Sequence, residues 1–168
     1  MLPDPLHPAV VHFPIVFMFL LPLAAAGGLW AIHRGVGVPR AWAIPLAVAA
    51  ALTASSWVAV ETGEGDEERV EQVVAESALH GHEEAAERFL LLSGAVLALA
   101  AAGMLRGVAG GVARLGATAG ALALVALGAQ VGHSGGTLVY RDGAASAYTA
   151  GPAGTGVAAE TGRGERDD

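Results

Sequence analysis

The sequence predicts an all-α fold: a polytopic membrane four-helix bundle with an extramembrane acidic loop and a disordered C-terminal tail. Three observations carry that prediction. Of 168 residues, 54% are hydrophobic and only 15% charged, which is too apolar for a soluble domain of this length. Four apolar runs are each long enough to cross a hydrocarbon core roughly 30 Å thick. The charged residues fall before, between and after those runs, never inside them.

The first run is Phe13 to Ile32. The segment before it, Met1-Leu2-Pro3-Asp4, lacks the positive region of a cleaved signal, and a second run follows closely, so the first span is expected to be retained. The second run is Ala41 to Val60, the third Phe89 to Leu105 and the fourth Leu115 to Val131. The third and fourth are short and rich in Ala and Gly, so their insertion depends on packing against neighbours. In the fourth, Gly116, Gly120, Gly128 and Gly132 recur at steps of four with Leu124 between them, giving one smooth face for a close helix partner.

The loop after the first run carries His33, Arg34 and Arg40, and the loop after the third carries Arg106 and Arg114, with no acid in either. Excess arginine marks cytoplasmic loops. The segment between the second and third runs instead holds ten acids from Glu61 to Glu87 against Arg69 and Arg88. A multi-pass membrane protein follows, with both termini and the acidic loop on the extracytoplasmic side. Residues 1–143 form the expected transmembrane domain. From Ala144 the chain is Gly, Ala, Thr and Ser with a charged end, so 144–168 are expected to be a flexible tail.

Absence of cysteine excludes disulfides, all-cysteine iron–sulfur clusters, covalent haem and a thiol nucleophile. The net charge is -7, all nine basic residues are arginine, and no basic stripe suggests nucleic acid. Membrane lipid is the partner that composition requires.

The chemistry-bearing residues gather on one side. His7 and His12 precede or open the first span, His80 and His82 precede the third, and His133 follows the fourth. Only His33 lies at the other side. Imidazoles from different helices of a bundle can hold haem or a metal ion without cysteine. Two axial imidazoles suffice for b-type haem, whereas two His and a carboxylate would suit a zinc, copper or iron ion. For an ion, Glu64 and Glu68 join His7, His12, His82 and His133 as candidate ligands. His and Glu are also ordinary at a membrane–water boundary, where they cap helices, so a structural subunit without cofactor is the plain alternative. Gln130 lies one turn before His133 and could orient it, and Arg141 could pair with a haem propionate or a lipid headgroup. Trp30, Trp42 and Trp57 fall near span ends, as interfacial anchors do.

Leu6-His7-Pro8 and Val11-His12-Phe13-Pro14 at the start, Thr62-Gly63, His82-Glu83-Glu84, and Gly135-Gly136 followed by Leu138-Val139-Tyr140-Arg141 and Gly143 together resemble a bacterial family of small four-helix membrane proteins of unknown function. The resemblance runs from about Leu6 to Gly143. It implies a polytopic membrane domain, and some similar proteins are joined to redox modules of the cytochrome c or Rieske kind, which implies a redox protein partner.

The resulting expectation is an electron-transfer or binding component more than a stand-alone enzyme. It binds b-type haem with His12 and His133 as axial ligands and His7 or His82 as substitutes. Spans one and four, as neighbours in a closed bundle, would bring the first pair to a similar depth.

Overall fold

A computed structural model describes residues 6–149. The described chain is helical throughout: α1 (His7–Val10), α2 (His12–His33), α3 (Val38–Glu64), α4 (Glu67–Val70), α5 (Glu76–Ala102), α6 (Gly107–Tyr140) and α7 (Ser146–Thr149). Four helices, with α1 continuing into α2 as one, are long and apolar enough to cross a membrane. The first, second and fourth predicted runs lie wholly within helices, and the third is helical to Ala102, with Gly103, Met104 and Leu105 in the turn before α6.

The chain runs up and down, so that α2 packs on α3, α3 on α5, α5 on α6, and α6 back on α2. This closes a four-membered ring with spans one and four side by side. Short connections force the antiparallel arrangement. At the end of α2, the Gly35 N–H bonds Ile32 O (2.9 Å) and the Val36 N–H bonds Ala31 O (3.0 Å). Gly35 has φ +89°, the left-handed conformation that this helix stop requires and glycine adopts without strain.

The shared core takes residues from each long helix, including Leu21 and Ala25, Trp42 and Leu52, Phe89 and Val96, and Ala121 and Leu124. The outward faces are also apolar: Phe13, Phe19, Leu23, Ile44, Leu91, Leu115 and Leu122 are all exposed. Such a surface needs lipid around it. The glycine face of α6 is a packing face along most of its length. A Cβ on Gly120 would run into Val96, one on Gly128 into Met18 and Phe89, and one on Gly116 would only touch Leu99 at 3.5 Å. Gly132 breaks the pattern, since nothing stands within 4 Å of its would-be Cβ.

Two residues lie elsewhere than the sequence predicts. Trp42 is wholly buried, and its indole N–H donates to Ala100 O at 2.9 Å. Arg114 is in α6, two turns from its start, and buried; it donates to Gly103 O (2.6 Å) and Leu105 O (3.2 Å). Trp42 is thus no interfacial anchor and Arg114 no loop residue. Both hold the end of α5, where helical carbonyls lack intrahelical partners.

The bundle has a histidine end, where α2 begins and α6 finishes, and an arginine end with Arg34, Arg40, Arg106 and Arg114. At the histidine end a small second core of Val70, Val74, Leu79, Leu138 and Ala144 lies beneath the acidic loop, with Ala147 and Tyr148 packed against it. Ala144, Ala147 and Tyr148, at the start of the expected tail, cover part of this apolar cluster. The rest of the expected tail, 150–168, lies outside the described residues.

Candidate functional site

The functional residues follow from how the long helices finish. α6 has 34 residues, about 50 Å at 1.5 Å per residue, and α5 has 27. Both outrun the hydrocarbon core and present polar groups beyond it at the histidine end.

His7 opens α1 just before Pro8, where the first helical amides have no intrahelical partner and proline costs little. The half-buried imidazole reaches across to α3. Its Nδ1 lies 2.8 Å from Ala59 O, and a carbonyl oxygen only accepts, so Nδ1 carries the proton and donates. Thr62 Oγ1 stands 3.4 Å from the same nitrogen while directing its own O–H to the Ala59 and Val58 carbonyls. The ring lies against Gly63, where an added Cβ would be 3.2 Å from its Cε1. The Thr62-Gly63 pair is thus the seat of the first histidine.

His82 is built in the same way from other helices. It stands two turns into α5 and is half-buried, with Nδ1 2.9 Å from Ser134 Oγ on α6. Ser134 donates its own proton to Val131 O (3.0 Å), which leaves its oxygen to accept from His82 Nδ1–H. The ring rests on Gly135, whose would-be Cβ would be 3.0 Å from Cε1. His7 and His82 stand at the same end of the bundle, on α1 and α5. In both rings Nδ1 faces a protein oxygen, and His82 also bonds the Val131 backbone. With its proton at Nδ1, His7 keeps Nε2 as an acceptor.

The other expected site residues are spread more widely. His12 and His133 are both exposed, and no described contact joins them. His133 lines an open groove of about 350 Å³ between α5 and α6 with Ser77, Gly81, Thr137 and Asp142. Glu64, Glu68, Gln130 and Arg141 are exposed, Arg141 at the end of α6 with its N–H on Thr137 O. His80 faces away from His82 and pairs with Glu83 (3.2 Å) and Glu76 (3.5 Å) on the surface of its own helix. Among the described residues no three of His, Asp and Glu stand together as a metal-ion group.

Sequence reasoning did not find Ser134 or the roles of Gly63 and Gly135. The available signal was small residues at helix ends, Thr62-Gly63 and Ser134-Gly135, where a side chain from another helix can lie against backbone.

Residues 3–147 match the family described as "Predicted membrane protein (DUF2231)", and the chain belongs to it. No curated protein and no solved structure matches the chain.

Proposed function

We propose that this member of the DUF2231 family is a membrane-embedded electron-transfer protein that binds b-type haem through His7 and His82. The observation that carries the reading is the common set of the two imidazoles. Each turns Nδ1 to a protein oxygen, Ala59 O for His7 and Ser134 Oγ for His82, which is how ligating histidines are held in their tautomer and orientation. They come from different helices at one end of the bundle.

The donor count favours haem over a bare ion. Two neutral imidazoles leave a zinc, copper or iron ion short of ligands, whereas a porphyrin brings four nitrogens and needs only axial ones. Bound there, haem would supply a one-electron couple. The chain's own part is to fix the rings, through Ala59 O and Thr62 for His7 and through Ser134 and Val131 O for His82. Gly63 and Gly135 let each ring lie against a helix backbone. Exposed Arg141 is available to a propionate carboxylate. His12 and His133, both exposed, are placed outside this pair.

The arginine bias orients the protein in a bacterial plasma membrane with the histidine end outside. A redox protein partner would exchange electrons there. The test is an absorption spectrum, with metal analysis, of protein purified from its native membrane. A Soret band with about one iron per chain is expected. No Soret band after haem supplementation overturns haem, and stoichiometric zinc or copper in its place assigns the histidines to a bare ion.

A further inference from the structure

At the opposite end of the bundle, α2 and α3 part to leave a groove of about 320 Å³. Ala24, Gly27 and Ala31 of α2 line it on one side, and Ile44 and Pro45 of α3 on the other, with Arg40 among its lining residues. The depth comes from residue size. Nothing stands within 4 Å of a would-be Cβ on Gly27, whereas one on the adjacent Gly28 would press on Ala41 O and Pro45, so Gly28 closes the floor.

The charge at this end has no internal complement. Arg34, Arg40, Arg106 and Arg114 are all here, and residues 33–41 and 103–114 contain no Asp or Glu. Arg114 is consumed by the end of α5, and Arg34 lies over the Trp30 ring at 5.7 Å. Arg40 is exposed and has no ion pair among the described residues. An apolar groove open to the surroundings of the bundle, with an unpaired guanidinium beside it, matches one amphiphile. An acyl chain fills the groove and a phosphate accepts from the guanidinium fork.

We infer that this groove binds an anionic glycerophospholipid of the leaflet at the arginine end, with Arg40 on its phosphate. The inference is independent of any cofactor at the histidine end. It is tested by native mass spectrometry of protein released from bilayers of equal phosphatidylglycerol and phosphatidylethanolamine. Wild type is expected to retain a single phosphatidylglycerol. Arg40→Gln should lower that retention about tenfold, the scale of a lost charge-assisted pair. Gly27→Leu, which fills the groove from a position with open space, should abolish retention of either lipid, and Arg106→Gln should behave as wild type. Wild-type retention in both Arg40→Gln and Gly27→Leu overturns the site, as does equal retention of the two lipids. A lipid-free dimer that Gly27→Leu dissociates also overturns it, by giving the groove to a second copy of the chain.

Discussion

Replacing Arg114 by Met tests how the bundle closes at the arginine end. An α-helix leaves its last four carbonyls without intrahelical partners. At the end of α5, Leu99 O accepts from the Gly103 N–H (2.8 Å), and Ala101 O and Ala102 O accept from the Met104 and Leu105 N–H groups (each 3.0 Å). Ala100 O takes the Trp42 indole, and the Gly103 and Leu105 carbonyls take Arg114. Met keeps most of the stem volume and removes the donors. A hydrogen bond to a charged group is worth about 1.5–3 kcal/mol, so two total about 3–6 kcal/mol. Relief from holding a guanidinium in a largely dry site offsets part of this, leaving a loss of about 2–4 kcal/mol. Arg114→Lys retains the charge and a donor and should lose about 1–2 kcal/mol. Unfolding of purified protein by dodecyl sulfate titration in mixed micelles, followed by circular dichroism, reads the difference. A change for Arg114→Met below about 0.5 kcal/mol, within the range of an unremarkable surface substitution, would mean that water already satisfies those carbonyls.

Further predictions pair neighbouring positions. Gly128→Ala drives a methyl group into Met18 and Phe89 and should cost about 1–3 kcal/mol, whereas Gly132→Ala, in open space, should stabilise by about 0.5–1 kcal/mol; the same titration measures both. If His82 is a ligand, Ser134→Ala removes the acceptor that holds its Nδ1–H and should weaken cofactor affinity about 10–100-fold in an equilibrium titration, with helix content unchanged. Gly135→Ala should push the His82 ring and weaken affinity about tenfold, while Gly136→Ala, whose Cβ meets nothing within 4 Å, should leave it as in wild type. Equal effects at 135 and 136 would contradict the seat assigned to that imidazole.

The helical architecture was legible because the bilayer leaves few solutions: long apolar runs must be helices, and short arginine-bearing turns make neighbours antiparallel. The α6 glycine face was legible for the same kind of reason, since spacing by four selects one side of a helix. Trp42 was not, because a tryptophan near a span end has the same sequence signature whether its indole faces lipid or a neighbouring helix. Arg114 misled because a charge next to an apolar run ordinarily marks a loop, whereas here the exposed ends of a neighbouring helix give it buried partners. The histidine end was legible as a gathering of residues but not as a pairing. Which imidazoles turn inward depends on helix rotation and on small residues opposite them, and His7 meets Ala59 and His82 meets Ser134 at separations of 52 positions. No local pattern encodes such contacts.

The most direct measurement of the haem proposal is a titration of haem into the wild type and four single variants, His7→Ala, His82→Ala, His12→Ala and His133→Ala, read by the Soret band and by the low-spin ferric signal in electron paramagnetic resonance. Wild type, His12→Ala and His133→Ala should give the low-spin signature of two axial imidazoles, and His7→Ala and His82→Ala should lose it. Loss in His12→Ala and His133→Ala with retention in the other two would contradict the His7–His82 assignment, and no low-spin signal in the wild type would contradict bis-imidazole haem binding altogether.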